Sequence, residues 1–201
     1  MNEKEYIKII EAYQDVVKPL LADLEVRSKN NRIPINCLNE IRALNDHIAR
    51  CYRDGVNEKT ISIELGKAEG HLKRLIFDCF KQLNVFLYDK IEAKEKKYYS
   101  SLWLEWDKGN FWNNYLNTKT KARIASIEAK KKETEDQEYA MEKYEEAYCN
   151  YCNVESLLNK KHKLLWGSFL YKHATQAISG WNWLITTIIL SSISALIAYF
   201  I

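Results

Sequence analysis

The segment from Trp181 to Ile201 contains 21 residues and no charged side chain. At a rise of about 1.5 Å per residue, a helix of this length spans the roughly 30 Å hydrocarbon layer of a bilayer. The sequence therefore predicts a single C-terminal transmembrane helix over residues 178–201. The first turns mix Glu and Lys and lack the apolar core of a signal peptide, so we expect a tail-anchored protein.

The charges around this segment are distributed unevenly. No Asp or Glu follows Glu155, whereas four lysines do. The positive-inside rule then predicts a single-pass protein of the inner (cytoplasmic) membrane with its N-terminal domain in the cytoplasm. Lysine binds anionic lipid head groups, and tryptophan suits the interface between lipid and water. The predicted membrane-interface residues are Lys160, Lys161, Lys163, Lys172, Trp181 and Trp183.

Small and hydroxylated residues recur at helical spacing on one side of the apolar segment: Thr187, Ser191, Ser194 and Ala198. Such a face permits close packing between membrane helices, or it lines a water-filled lumen when several helices form a ring. One helix per chain cannot enclose a pore, so a pore requires a homo-oligomer. The segment alone favours the alternative of a simple anchor, in which the hydroxyls bond back to the preceding turn.

The rest of the chain is typical of an all-α protein. Pro and Gly are scarce, and apolar residues recur at three-and-four spacing, which predicts a long-helix bundle. We expect a first helix over 3–26, which Pro19 bends or splits, a second over 35–52 and a third from 61 to 87. A break is expected within 107–114, followed by one long charged helix over 118–163. The predicted domains are a helical domain over 1–116, a long charged helix with a basic juxtamembrane segment over 117–177, and the transmembrane helix over 178–201.

Five cysteines form an odd set in a chain of 201 residues, which indicates a reducing compartment. Cys149 and Cys152 have C-x-x-C spacing, but one pair supplies two ligands where a structural zinc site needs four. Packing within a helix is the favoured interpretation. The sequence predicts no metal site and no cofactor.

One motif carries recognisable chemistry. Arg42 and His47 are separated by four residues on a predicted helix. In a ribonuclease, imidazole moves the proton of a 2′-hydroxyl near neutral pH and guanidinium holds the phosphate. The alternative is a ladder of i, i+4 ion pairs through Arg42, Asp46, Arg50 and Asp54, with His47 as an ordinary polar residue. The residues alone favour the ladder, and a structural role is also favoured for His71.

The R-x4-H element, followed by Lys67–Arg74 opening another helix, resembles the HEPN superfamily of helical nucleic-acid-associated domains. The resemblance covers roughly the first half of the chain, with Arg42 and His47 at the matching positions. It implies that two motifs face each other across a dimer interface. The residue after the motif arginine is usually polar in active members, and Ala43 departs from that pattern, with Asn45 and Asp46 as candidate substitutes.

A HEPN-like domain followed by a membrane segment is similar to the membrane accessory proteins of type VI-B CRISPR systems. The resemblance implies an antiviral defence effector that forms a homo-oligomeric membrane pore, depolarises the cell and enhances RNA-guided RNA targeting. RNA or the CRISPR effector itself is then an expected partner, besides the membrane. Two alternatives are a membrane-anchored endoribonuclease using Arg42 and His47, and a membrane adaptor that recruits another protein.

Overall fold

The computed structural model describes residues 3–28, 30, 32–97, 106–160, 174, 176–185, 187–188 and 191. These ranges contain no strand, which confirms the predicted all-α class. The α-helices are α1 (Glu3–Ala12), α2 (Lys18–Arg27), α3 (Ile35–Arg50), α4 (Glu58–Lys97), α5 (Asn110–Lys132) and α6 (Gln137–Lys160).

A π-helical turn, Tyr13–Val17, joins α1 to α2 directly before Pro19. Proline has no backbone N–H, so the carbonyl of Asp15 loses its ordinary i→i−4 donor. The Lys18 N–H instead donates to the carbonyl of Tyr13, five residues earlier. This π-turn divides the predicted first helix at the position where the proline interrupts the ladder of hydrogen bonds.

The chain divides into two compact units. The first comprises Met1–Lys90 and Asn117–Glu155, and its core packs leucines, alanines and thiols from α1 to α6. Fully buried examples are Val17, Leu24, Cys37, Leu75, Cys79 and Leu83. The second unit comprises Ile91–Leu116 and Ser156–Ile201. There Tyr115 is fully buried and its hydroxyl donates to the carboxylate of Glu95.

The predicted continuous helix over 118–163 is wrong, because α5 ends at Lys132 and α6 begins at Gln137. Asp136 caps α6: its Oδ1 accepts a hydrogen bond from the Tyr139 N–H at 3.0 Å. A short polar side chain at this position satisfies a backbone donor that no helical carbonyl can reach. Basic residues close α5 and an acidic residue opens α6, as the helix dipole favours.

The prediction of a single C-terminal transmembrane helix over 178–201 is also wrong. Within the described ranges no helix combines the length and the apolar character that crossing a bilayer requires.

Candidate active site

A tight hairpin connects α3 to α4. Gly55 adopts φ +77° in this connection, a left-handed conformation that glycine reaches without steric cost. Asn57 caps the start of α4, since its Oδ1 accepts the Thr60 N–H at 2.9 Å. Glu40 on α3 contacts His71 on α4, and His47, further along α3, contacts Glu64, which comes earlier on α4. The two helices therefore run antiparallel.

Each of these helices carries a glutamate followed seven residues later by a histidine. The pairs are Glu40 and His47 on α3, and Glu64 and His71 on α4. Seven residues make almost two full helical turns, so each pair lies on one side of its helix. Because the helices are antiparallel, the glutamate of each one faces the histidine of the other.

The two resulting contacts have the same geometry. His47 Nδ1 lies 2.7 Å from Glu64 Oε2, and His71 Nδ1 lies 2.7 Å from Glu40 Oε2. The imidazole rings stack on each other with centroids 5.1 Å apart and planes inclined by 22°. The site therefore holds two carboxylate–histidine pairs in contact with each other.

The carboxylates select the tautomer of each ring. A carboxylate oxygen is an acceptor, so an Nδ1 atom at 2.7 Å must carry the proton and donate it. His71 Nδ1 has a second neighbour, because Arg74 Nη2 lies 2.9 Å from it. The same tautomer is still assigned, because an unprotonated Nδ1 would place its lone pair against the carboxylate oxygen of Glu40. In the neutral rings Nε2 is then the basic nitrogen, and it makes no hydrogen bond within the described part of the chain.

Three cations surround the carboxylates. Lys67 Nζ lies 2.8 Å from Glu64 Oε1, Arg50 Nη1 lies 3.7 Å from Glu64 Oε2, and Arg74 Nε lies 3.2 Å from Glu40 Oε2. Hydrogen bonds from Lys67 and His47 lower the pKa of Glu64 to about 2. Glu64 therefore stays ionised throughout the pH range in which histidine titrates, and it orients His47 over that whole range.

This arrangement is suited to proton transfer. Two imidazoles whose Nδ1 atoms are fixed by carboxylates present two Nε2 atoms. A neutral ring accepts a proton at Nε2, and a ring in the imidazolium form donates one from Nε2. The histidine side chains are 14% and 20% exposed, while those of the three cations are 42–53% exposed. The bases are thus shielded, and the cations remain accessible to an anionic ligand.

Of the predicted motif residues, the structure brings only one into the histidine cluster. His47 lies in the cluster, but Arg42 is exposed on α3 and makes no ion pair in the described ranges. Asn45 and Asp46 are exposed as well, and Asp46 Oδ2 pairs with Arg50 at 3.2 Å. One step of the predicted ion-pair ladder is therefore present. The sequence-based prediction did not include Glu40 and Glu64 as site residues, although the repeated E-x6-H spacing is visible in the sequence.

Five of the residues predicted at or in the membrane lie outside the described residues: Lys161, Lys163, Lys172, Ser194 and Ala198. Thr187 Oγ1 donates to the carbonyl of Trp183 at 2.8 Å, and Ser191 Oγ donates to that of Ile188 at 2.9 Å. Trp181 and Trp183 are exposed, as is Lys160 at the end of α6. The pore, the homo-oligomer and the inner-membrane localisation stay predictions.

No family model, curated protein or solved structure matches this chain. The HEPN resemblance and the likeness to the type VI-B accessory proteins therefore stay predictions. No group of three or more His, Cys, Asp or Glu side chains in the described ranges is arranged to hold a metal ion.

Proposed function

We propose that this chain is an endoribonuclease that cleaves RNA by acid–base catalysis at His47 and His71. The observation that carries the proposal is the stacking of two imidazoles, 5.1 Å apart, each oriented by a carboxylate on the opposite helix. One Nε2 would take the proton of a ribose 2′-hydroxyl. The 2′-oxygen then attacks phosphorus, and the other ring, which must enter the step as an imidazolium protonated at Nε2, gives that proton to the departing 5′-oxygen.

The surrounding cations support this substrate class. Arg50, Lys67 and Arg74 lie beside the two carboxylates with half-exposed side chains. Arginine recognises phosphate through paired N–H donors, and lysine acts as a point charge. The attack produces a 2′,3′-cyclic phosphate on one fragment and a 5′-hydroxyl on the other, so the products identify the mechanism.

Histidine substitutions test the proposal most directly. We expect the full chain to cleave single-stranded RNA, and His47→Ala and His71→Ala each to slow cleavage at least about 100-fold, the usual contribution of a general acid or base. The pH dependence of the rate should be bell-shaped. Circular dichroism on each variant separates lost catalysis from lost folding.

Charge-neutral variants of the glutamates supply the matched comparison. Glu40→Gln and Glu64→Gln remove the oriented acceptor and should slow cleavage about tenfold or more, whereas Glu145→Gln, at an exposed position on α6, should leave the rate unchanged. RNA left intact by the full chain would overturn the proposal. Equal cleavage by folded His47→Ala would do the same, and would leave the cluster as an ion network between α3 and α4.

A further inference from the structure

A cavity adjoins the histidine cluster within the first unit, between α4 and the first turns of α6. Its volume is about 280 Å³, close to the lower limit of small-molecule sites, which is roughly 300 Å³. The lining includes Lys73, Arg74 and Phe77 from α4, and Gln137, Glu138 and Met141 from α6. A space of this size accommodates one compact ring system.

One arginine belongs to both the cavity and the cluster. Arg74 lines the cavity, its Nη2 lies 2.9 Å from His71 Nδ1, and its Nε donates to Glu40 Oε2 at 3.2 Å. Gly70, the residue before His71, lines the cavity as well. When a phosphate of RNA contacts Arg74, the base of the adjoining nucleoside is therefore in position to enter the cavity.

The apolar part of the wall suits a flat ring. Phe77 and Met141 supply it, and both are partly buried. The Phe77 ring is held in place, because Tyr144 packs against it edge to face with centroids 5.3 Å apart and Lys81 Nζ lies 5.2 Å from its centroid. Aromatic side chains stack on nucleobases, and thioether sulfur makes favourable contacts with π-systems.

The polar groups of the wall differ between the two helices. Glu138 on α6 offers two acceptor oxygens from an exposed side chain, and it makes no ion pair or hydrogen bond with the residues that the structure describes. Lys73 on α4 offers only donors. Its Nζ lies 3.3 Å from Glu69, but Lys8 also pairs with Glu69, so that carboxylate keeps a partner when Lys73 binds a ligand.

Guanine matches these groups better than the other three bases of RNA. Its N1–H and 2-amino group are adjacent donors, which pair with the two oxygens of one carboxylate. Adenine and cytosine place a ring acceptor beside their amino group, and uracil places carbonyls on both sides of its N–H, so each of these bases opposes one carboxylate oxygen. Guanine also presents O6 and N7, the acceptors that lysine and arginine recognise most often.

We infer that this cavity binds a guanine base of the RNA beside the phosphate that is cleaved, and that Glu138 selects this base. The Glu138 carboxylate accepts from N1–H and the 2-amino group, Lys73 donates to O6 or N7, and the ring packs on Phe77. The inference rests on the proposed RNA cleavage for the identity of the substrate.

Calorimetric titration of the full chain with nucleoside monophosphates tests the selectivity without requiring cleavage. We expect guanosine 3′-monophosphate or guanosine 5′-monophosphate to bind saturably, at least about tenfold more tightly than the matching adenosine, cytidine and uridine compounds. Inosine monophosphate, which lacks only the 2-amino group, should bind more weakly than its guanosine counterpart. No saturable binding of either guanosine compound up to millimolar concentration overturns the inference, and so does equal binding of all four bases.

Glu138→Gln tests the assigned contact. The amide replaces one acceptor oxygen with an N–H donor, which opposes a donor of guanine, so guanosine monophosphate should bind at least about tenfold more weakly. Glu145→Gln, at an exposed position on the same helix, is the matched control and should keep the full affinity. Unchanged binding by Glu138→Gln would overturn the role assigned to Glu138.

Two leucine variants locate the ligand. Gly70 lines the cavity, and a Cβ added there meets no atom within 4 Å, so Gly70→Leu occupies free space in the cavity and should abolish binding. Gly66→Leu makes the same change one turn earlier on α4, also in open space, and should leave binding intact. Leucine favours a helix over glycine at both positions, and circular dichroism verifies folding. Equal affinities of the two variants would place the ligand elsewhere and overturn the inference.

Cleavage of an oligoadenylate with one central guanosine separates this inference from the proposed function. We expect the full chain to cut beside the guanosine at least about tenfold faster than at any other bond. Selective binding of guanosine monophosphate with the RNA left intact would overturn the cleavage and keep the guanine site. Equal cleavage at every bond, without guanine-selective binding, would overturn the guanine site alone.

Discussion

The Arg27 guanidinium joins two helices through the Glu155 carboxylate, with Nη1 and Oε2 2.7 Å apart across 128 positions of sequence. Arg27 Nε also donates to Asp23 at 2.7 Å, and Lys90 Nζ lies 2.7 Å from the other oxygen of Glu155. Burial alone would lower the pKa of Arg27, but the bonds to Asp23 and Glu155 raise it. The network thus ties α2 and α4 to the last part of α6 within the first unit.

Arg27→Ala is expected to destabilise the protein by about 2 kcal/mol. Removing one partner of a buried ion pair costs about 3–5 kcal/mol when the remaining charge is left alone. Lys90 still pairs with Glu155, which brings the expected cost below that range. The measurement is the free energy of unfolding in guanidinium chloride. Arg53→Ala, at an exposed arginine, is the control and should change stability by less than about 0.5 kcal/mol. Equal stability of the two variants would show that the network contributes nothing.

Acid should weaken the fold between about pH 5 and pH 2. Burial acts to raise the pKa of Glu133, but hydrogen bonds from Lys130 and Lys81 lower it to about 2. Hydrogen bonds from Lys67 and His47 lower the pKa of Glu64 to about 2. Both folded values lie below the unfolded value of about 4.3, so their contribution is complete above that pH and is lost as the pH falls through the folded value. Denaturant midpoints measured from pH 7 to pH 2 check this.

The matched variants for the acid transition are Glu133→Gln and Glu145→Gln. Glu133→Gln should flatten the dependence of the midpoint on pH below 5, because the titrating group is gone. Glu145→Gln removes an exposed carboxylate from α6 and should leave the dependence unchanged. A Glu133→Gln midpoint that falls as steeply as that of the intact chain would contradict the assignment.

The sequence determined the helical class and much of the core, because three-and-four spacing of apolar side chains reports directly on a buried helix face. Leu65, Leu72, Leu75 and Leu83, which lie within the third predicted helix, are all buried. The same helix runs unbroken through Gly66 and Gly70, because packing of its apolar face outweighs about 1 kcal/mol for each glycine. The turn before Asp136 has no clear signal in the sequence, since the charged residues around it are compatible with a solvated helix.

The histidine cluster shows why a site is harder to predict than a helix. His47 and Arg42 are near each other in sequence, which is why the motif pairs them, but the partners of His47 in space are Glu64 and His71 on another helix. Their meeting depends on the register of the antiparallel hairpin, which propensity and periodicity do not specify. Once the direction of the two helices is known, the repeated E-x6-H spacing is enough to pair them.

Asp136→Ala is expected to cost about 1 kcal/mol by removing the cap of α6. The lost interaction is the hydrogen bond from the Tyr139 N–H to Oδ1 at 3.0 Å. Asp89→Ala makes the same substitution at an exposed position inside α4, where alanine has the higher helix propensity, and should not destabilise. Equilibrium unfolding of both variants gives the comparison. An Asp136→Ala protein as stable as Asp89→Ala would mean that the cap does not contribute to stability.

The five free cysteines should divide sharply in their reaction with a maleimide at neutral pH. Cys149 is exposed on α6, whereas Cys37 and Cys79 are fully buried and Cys51 is 6% exposed. The hydrogen bond with Cys37 and burial raise the pKa of Cys79, which further lowers the fraction of reactive thiolate. We expect Cys149 to be labelled first and the buried thiols to react only through opening of the helices.

Mass spectrometry of peptides over time gives the order. Labelling in 6 M guanidinium chloride, where all five must react, is the reference, and Cys149→Ser should remove the fast phase. Fast labelling of Cys37 or Cys79 in the native protein would contradict the packing of α3 against α4.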